Sequence, residues 1–226
     1  MPNFDEISEV ATLLGVPARL QILLALAGGH ALPAGELASC ADVTASTASE
    51  HLVRLEHAGL LTVVRQGRHR YYRIASSEVA AMLETMLVVA SAAPRAQSKI
   101  DPALRQGRTC YNHLAGRLGV AICDAMVRTQ MILIETDVAY ITAFGLARLH
   151  TLGIDVTRLR KHPHCRTCID WSERRNHLAG TVGSEILKRC VELRWITRCL
   201  DRRAVRLTAA GKKGLQSAFG VESAAL

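Results

Sequence analysis

Cysteine and histidine residues in the second half of the chain have the types and spacing that bind metal ions or react as thiols. Cys110 and His113 are three residues apart and would share one face of a helix. Cys165 and Cys168 form a Cys-x-x-Cys pair. The histidines that shortly precede this pair are His162 and His164. Thiolate and imidazole ligands suit zinc or a thiophilic ion such as arsenite. The sequence therefore predicts a metal site formed by Cys110, His113, Cys165 and Cys168.

Two other interpretations of these cysteines stay open. Cys165 and Cys168 could form a redox pair whose thiolate is stabilised by Arg160 and Arg166. They could also be structural, because a buried free cysteine behaves as a small apolar residue. The chain has seven cysteines and its N-terminus lacks the features of a signal peptide, so thiols or metal ligands are expected rather than disulfides.

Charged residues around a tryptophan form a second candidate site. As an inducer pocket, this segment would offer an apolar ring and cationic groups for an anion. The residues of that pocket would be Trp171, Arg174, Arg175 and His177. The sequence favours a simpler interpretation, a helix that is capped by Asp170 or Ser172 and begins with Glu173 near the positive end of its dipole.

Small hydroxyl side chains and arginines in the first 92 residues have the composition of a DNA-binding surface. A helix is predicted over about residues 45–57, with a polar outer face that can approach the major groove closely. Two strands follow at 61–65 and 70–74, and Gly67 lies in the turn between them. Arginines at that turn would contact the DNA backbone or minor groove. The predicted DNA-binding residues are Ser46, Thr47, Ser49, His51, Arg54, Arg65, Arg68 and Arg70.

The elements that position these residues follow the order of a winged helix-turn-helix domain. Helices are predicted at about 5–14, 19–27 and 33–38, before the one at 45–57. The inner face of that last helix would be Ala48, Leu52 and Leu55. Residues 1–92 are therefore predicted to form a DNA-binding and dimerisation domain.

The segments LGVPARLQILLAL, TASTASEHLVRLEHAGLL and RQGRHRYYRI together resemble the ArsR/SmtB family of winged-helix repressors, over about residues 8–90. The resemblance implies a homodimer in which terminal helices, here about 5–14 and 76–91, pair with those of the partner. It also implies repression that an inducer relieves. The thiolate site of the family is reduced here to Cys40, which we expect to be buried, and residues 76–91 lack the family's His and Asp ligands. The resemblance therefore does not identify the inducer.

The second half of the chain contains an internal repeat. The stretch Asn112–Gly116 recurs as Asn176–Gly180, 64 residues later, and Ile141–Gly145 matches Leu207–Gly211, 66 residues later. We predict a linker at 93–107 and a sensing domain at 108–226, built from two related halves at about 108–160 and 161–226. This half looks like the C-terminal extension of a subset of larger ArsR-type regulators, which carry CYDHLAG-like and C–DWSERR–HLAG-like stretches. The predicted fold class is mainly α with small β-hairpins.

Charge is distributed unevenly along the chain. The formal net charge is +8, but residues 1–93 hold six arginines against nine acidic residues. We therefore expect the first domain to bind DNA through a local arginine cluster rather than through its overall charge. The positive second half would suit an anionic effector or additional phosphate contacts.

These observations predict a cytoplasmic, homodimeric repressor of operator DNA that is not an enzyme, since no nucleophile elbow, phosphate-binding loop or HExxH motif is present. Its signal would be a ligand, a metal or metalloid, or thiol oxidation sensed in the second domain. No cofactor is certain, and zinc or arsenite are the ions that the site would take. Two alternatives remain: a non-specific architectural DNA-binding protein, and a thiol- or metal-dependent enzyme with a regulatory winged helix.

Overall fold

The structure is a computed structural model that describes residues 3–67, 69–91, 100–135, 138–156, 165–199 and 203–225. The chain forms two compact units, Met1–Leu83 and Glu84–Leu226. Within the described ranges, no single helix is long and apolar enough to cross a membrane. The two helices at residues 4–14 and 17–26 meet the length and composition criteria only as a pair, bent by 88°.

Four helices form most of the first unit. They are α1 (Phe4–Leu14), α2 (Pro17–Leu26), α3 (Ala34–Cys40) and α4 (Ala45–His57). Pro17 lies in the first turn of α2, where its missing amide hydrogen costs nothing. Thr44 caps α4, and its hydroxyl oxygen accepts a hydrogen bond from the Thr47 amide at 3.2 Å. Cys40 is exposed rather than buried, because the inward side of α3 is formed by Leu37 and Ala38.

A three-stranded antiparallel sheet completes the winged helix. Its strands β1 (Leu32–Pro33), β2 (Leu61–Gln66) and β3 (His69–Ile74) lie in the order β1-β3-β2. The hairpin of β2 and β3 pairs Leu61 with Ile74 at its base and Arg65 with Arg70 near its tip. The predicted winged helix-turn-helix fold of the N-terminal domain is thereby confirmed.

The boundary between the two units differs from the predicted one at residue 92. Helix α5 (Ser77–Ser91) contains the division, which falls after Leu83. Of the predicted linker, residues 93–99 lie outside the described part of the chain. Residues 102–106 form a short helix, α6 (Pro102–Gln106), whose first turn is capped by Asp101. A proline at the first helical position and an aspartate before it favour a helix start over an irregular linker.

The second unit contains the same element order twice. The first half comprises β4 (Arg108–Cys110), β5 (His113–Ala115), α7 (Gly116–Arg128), β6 (Ile132–Glu135), β7 (Val138–Ile141) and α8 (Ala143–Thr151). The second half comprises β8 (Cys165–Ile169), β9 (Asn176–Ala179), α9 (Gly180–Glu192), β10 (Ile196–Arg198), β11 (Val205–Leu207) and α10 (Ala209–Phe219). Each half is a hairpin, a helix, a second hairpin and a second helix. The final helices are capped in the same way, by Thr142 and Thr208.

The two halves are also joined by reciprocal strand contacts, in which a hairpin of one half lies beside a hairpin of the other. In the four-stranded sheet β6-β7-β8-β9, Val138 of the first half pairs with Arg166 of the second. Reciprocally, Arg108 of the first half forms an antiparallel bridge with Ala204, next to β11 of the second. This sheet is larger than the small hairpins that we expected, because two hairpins from different halves join edge to edge.

Two helices that we predicted from local spacing are absent at their expected positions. Cys110 and His113 lie on β4 and β5, because Tyr111 takes a left-handed conformation with φ of 56° that reverses the chain between them. Trp171–Glu173 form a turn between β8 and β9, and α9 begins only at Gly180. Asp170 still caps this turn, since its Oδ1 accepts from the amides of Ser172 and Glu173.

Equivalent glycines let both long helices of the second unit rest directly on the preceding strand. A Cβ atom at Gly119 of α7 would lie 2.4 Å from the carbonyl oxygen of Leu114. A Cβ atom at Gly183 of α9 would lie 2.5 Å from the carbonyl oxygen of Leu178 and 3.1 Å from Cβ of His113. Both positions thus require glycine for close backbone approach.

We expect Gly183→Ala to destabilise the second unit by about 1–3 kcal/mol, because the added methyl group must push α9 away from a backbone carbonyl. Urea unfolding followed by tryptophan fluorescence measures this unit alone, since both tryptophans, Trp171 and Trp195, belong to it. Ser184→Ala, at the next position of α9, is the control and should leave the midpoint nearly unchanged. Equal midpoints for Gly183→Ala and the wild type would contradict the close approach.

Candidate functional site

The outer face of α4 carries the five residues predicted to enter the major groove. Ser46, Ser49 and Arg54 are exposed, while Thr47 and His51 are half-buried. The opposite face is fixed by Ala48, Leu52 and Leu55, each fully buried. Because this apolar face anchors the helix, the polar face is presented rigidly to solvent.

Local contacts orient several of these polar groups. The Ser49 hydroxyl donates to the Ala45 carbonyl at 2.8 Å, and the hydroxyls of Thr44 and Thr47 are 2.9 Å apart. Partial burial, together with the positive charges of Arg19 and Arg54, lowers the pKa of His51. His51 is therefore neutral at physiological pH and offers one nitrogen donor and one nitrogen acceptor.

Arginines at the tip of the β2–β3 hairpin form a positively charged wing. Arg65 and Arg70 are directly opposite each other, an arrangement that costs stability unless an anion lies nearby. Arg70 contacts Glu56 of α4 at 3.3 Å, and its guanidinium lies 5.6 Å from the centre of the Tyr72 ring. This ion pair connects the wing to the recognition helix. Arg68, which we also predicted at the tip, lies outside the described residues.

Two cysteines and two histidines converge between the hairpins of the second unit. Cys110 pairs with His113 across β4 and β5, and Cys168 pairs with His177 across β8 and β9. One potential ligand atom from each of the four lies within 4.8 Å of all the others. Nε2 of His113 is 3.1 Å from Nε2 of His177. Cys110 and both histidines are buried, and Cys168 is half-buried.

The cluster contains three of the four predicted metal ligands and one residue that we had placed elsewhere. Cys165 is not part of it. Since successive strand residues point to opposite faces, Cys165 and Cys168 cannot share one, and the side chain of Cys165 lies in the apolar core. Burial raises the pKa of Cys165 to about 12, which makes it an inert thiol. His162 and His164 fall outside the described residues.

His177 takes the fourth position, and the sequence repeat contained the signal for it. His113 and His177 occupy the same place in the repeated stretch Asn-His-Leu-Ala-Gly, 64 residues apart. If one histidine of a symmetric pair is a ligand, its counterpart is the natural second ligand. The prediction that places His177 in the tryptophan pocket follows from its neighbours along the chain, whereas its equivalence with His113 in the repeat points to the cluster.

The two cysteines of the cluster have different proton affinities. Hydrogen bonds from Cys110 and from His113 together lower the pKa of Cys168 to about 6, against the effect of burial. The pKa of Cys110 is raised, by the same contact and by burial. Burial also lowers the pKa of both histidines, that of His177 to about 4, so that both imidazoles are neutral. One thiolate and two neutral imidazoles are therefore available to a ligand near neutral pH.

A buried ion pair lies directly behind the cluster. The side chains of Asp170 and Arg108 have no exposed surface, and Oδ2 of Asp170 lies 3.0 Å from a terminal guanidinium nitrogen of Arg108. Oδ2 of Asp170 lies 3.8 Å from Nδ1 of His177 and accepts a hydrogen bond from the Gly116 amide at 2.6 Å. Burial raises the pKa of Asp170, but Arg108, Ser172 and Gly116 outweigh this effect and hold it at about 2. Asp170 is thus ionised and positioned to orient the His177 ring.

The residues of the predicted tryptophan pocket do not converge on one cavity. The ring of Trp171 packs against the guanidinium of Arg108, whose carbon is 4.4 Å from the ring centre. Arg174 donates to the carbonyl oxygen of Ser91 at 2.6 Å, and Arg175 forms an ion pair with Asp124 at 2.8 Å. Arg174 and Arg175 line an open surface groove, whereas His177 faces the cysteines. An inducer pocket of these four residues remains a prediction.

Comparisons with known proteins find relatives of this chain among transcriptional regulators. Residues 14–64 match a family model described as a helix-turn-helix domain. The HTH-type transcriptional regulator YdfF of Bacillus subtilis is 39% identical over 225 residues, which cover 96% of this chain and 98% of YdfF. The biofilm growth-associated repressor of Agrobacterium fabrum is 33% identical over 85 residues, 36% of this chain and 72% of the repressor. One similar solved structure is a homodimeric winged helix-turn-helix domain from Mycobacterium bovis, described as a possible ArsR-family transcriptional regulator. The two sequences are 35% identical. The match covers 38% of this chain and 79% of the Mycobacterium bovis chain, with a TM-score of 0.36.

The recognition helix, the wing and the match along almost the whole of YdfF define a winged helix-turn-helix DNA-binding protein. The chain belongs to the family of HTH-type transcriptional regulators, and residues 14–64 form its helix-turn-helix domain. The predicted class of DNA-binding transcriptional regulator is thereby confirmed.

Proposed function

We propose that this protein is a sequence-specific repressor that binds operator DNA as a homodimer in the cytoplasm, without a catalytic role. The observation that carries the proposal is the pairing of an exposed polar helix face with a wing of arginines, joined by the contact between Glu56 and Arg70. In this arrangement α4 enters the major groove, and the wing follows the adjacent backbone or minor groove.

Within the groove, the proposal gives two roles to the side chains of α4. Ser46, Thr47 and Ser49 lie in its first turns, where helix-turn-helix proteins contact base edges. Their short hydroxyl side chains allow close approach and can both donate and accept. Arg54, in the last turn, and Arg65, on the wing, bind phosphates and fix the position of the helix.

Dimerisation is supported by an exposed apolar stripe on α1. Phe4 and Ile7, one turn apart, are 79% and 57% exposed. Neighbouring exposed apolar side chains of this size are typical of an interaction surface, and a second copy of α1 and α5 would cover them. The domain from Mycobacterium bovis is described as homodimeric, and we extend that assembly to this chain.

The second unit is proposed to be the sensing domain. It contains the cluster of two cysteines and two histidines, which is the one group of potential metal ligands found among the residues that the structure describes. Binding of a ligand or ion at this cluster, or oxidation of its thiols, would change the affinity of the dimer for operator DNA, because the sensing site and the DNA-binding site would be energetically coupled. An enzyme that uses these thiols is the competing interpretation, and it predicts activity that survives loss of DNA binding.

Selection of bound sequences from random DNA, followed by footprinting, tests the proposal. Two recognition helices related by a dimer axis should select a pseudo-palindrome with half-sites about 10 base pairs apart, centre to centre. Affinity for this site should exceed that for random DNA by roughly 10³-fold or more. A single asymmetric half-site would contradict the dimer, and equal affinity for all sequences would identify a non-specific architectural protein.

A further inference from the structure

We propose that Cys110, His113, Cys168 and His177 form a tetrahedral Cys₂His₂ site for a zinc ion, with two ligands from each half of the second unit. The site goes beyond DNA binding, and its existence does not depend on the proposed repressor function. Each half contributes one cysteine and one histidine that face each other across an antiparallel hairpin.

The donor set and its dimensions fit zinc. Two nitrogens bound tetrahedrally at roughly 2.0–2.1 Å from zinc are roughly 3.3 Å apart. The Nε2 atoms of His113 and His177 are 3.1 Å apart, close to that separation. One potential ligand atom from each of the four residues lies within 4.8 Å of the other three, so that a single ion can be shared by all four once they draw together around it. Four-coordinate sites with two sulfur and two nitrogen ligands are typical of zinc.

The surroundings supply the support that metal-binding histidines usually have. Nδ1 of His177, buried and without a hydrogen-bond partner, lies 3.8 Å from the carboxylate of Asp170. Nδ1 of His113 lies 3.3 Å from the side-chain oxygen of Asn112. In both residues Nε2 is therefore directed at the cluster while the other nitrogen is directed at an oxygen acceptor.

Electrostatics favour a divalent ion at this buried position. Two thiolates and two neutral imidazoles around Zn²⁺ make a complex with no net charge, which low-polarity surroundings tolerate. The charged residues nearby are already balanced, since Arg108 pairs with Asp170 and Arg203 pairs with Glu84. The ion would thus join the two hairpins without leaving an uncompensated charge.

Symmetry explains why the ligands meet. The Cβ position of Gly183 lies against Cβ of His113, and that of Gly119 lies 3.5 Å from Cβ of His177. Each long helix therefore packs against the histidine of the other half, and this brings the two histidines together. A bound ion would connect the halves at the point where their contacts are reciprocal.

The test uses the full-length chain, purified under reducing conditions, stripped with a chelator and titrated with Zn²⁺ or Co²⁺. We expect one ion per chain. Co²⁺ should produce the intense visible bands of tetrahedral coordination and thiolate-to-cobalt charge transfer, and Zn²⁺ should abolish both. Zinc should also raise the unfolding temperature recorded by tryptophan fluorescence. No uptake of either ion by the reduced wild type would overturn the site.

Variants separate this site from the Cys-x-x-Cys pair. Cys168→Ala and His177→Ala should lose the ion, while Cys165→Ala, the matched control, should keep it. Cys168→His guards against misfolding, because it should retain cobalt with a weaker charge-transfer band. Loss of the ion in Cys165→Ala but not in Cys168→Ala would contradict our assignment. Operator binding is measured on the same samples. A protein that binds the ion but not the operator would contradict the proposed function alone. A protein that binds the operator but takes up no ion would contradict the metal site alone.

Discussion

The double substitution Arg54→Ala/Arg65→Ala is expected to weaken operator binding by about 10³–10⁴-fold. A homodimer carries both changes twice, so that four phosphate contacts are lost at about 1–1.5 kcal/mol each. Both arginines are exposed, on α4 and on the wing, and neither belongs to the apolar core. Fluorescence anisotropy with labelled operator at several salt concentrations measures the effect. The dependence of log K on log salt concentration should become shallower by about 3–4, near 0.9 for each lost contact.

Arg73→Ala is the matched control for this experiment. Arg73 is also an exposed arginine of the same hairpin, but it lies near the base, opposite Thr62. Its replacement removes one positive charge per chain, half of what the double variant removes, and should change affinity by less than about tenfold, as expected of a distant surface charge. If Arg73→Ala weakened binding as much as the double variant, affinity would depend on total charge and not on contacts from α4 and the wing tip.

The winged helix could be predicted from the sequence because its signals are local. The spacing of Ala48, Leu52 and Leu55 defines the buried side of α4, and a glycine turn between apolar strands defines the wing. Each signal acts within a few residues and does not depend on the rest of the fold. For the same reason, the arginines of the wing tip were recognisable as a group before their positions were known.

The second unit shows where local reasoning fails. Cys110 and His113 have helical spacing, yet the left-handed Tyr111 between them produces a hairpin. Cys165 and Cys168 appeared to be a ligand pair, but strand geometry separates them onto opposite faces. The cluster depends on contacts between residues up to 67 positions apart, and only the repeat, which equates His113 with His177, pointed to them.

The ion pair behind the cluster was equally invisible in the sequence, because it connects residues 62 positions apart. Arg108 begins β4 in the first half, and Asp170 follows β8 in the second. The Asp170 carboxylate accepts hydrogen bonds from Gly116 in one half and from Ser172 in the other. With both charges completely buried, removal of one partner leaves the other without compensation.

Asp170→Asn is therefore expected to destabilise the second unit by about 3–5 kcal/mol, the cost of an unpaired buried charge on Arg108. Urea unfolding followed by tryptophan fluorescence, with a chelator in every sample, measures this loss apart from any effect of metal. Asp124→Asn is the matched control: its ion pair with Arg175 is partly exposed and should be worth less than about 1 kcal/mol. Adding Arg108→Met to Asp170→Asn should recover part of the stability, because the stranded charge is removed. Equal losses from Asp170→Asn and Asp124→Asn would show that water reaches Arg108 and that the two halves are not held together by a buried charge pair.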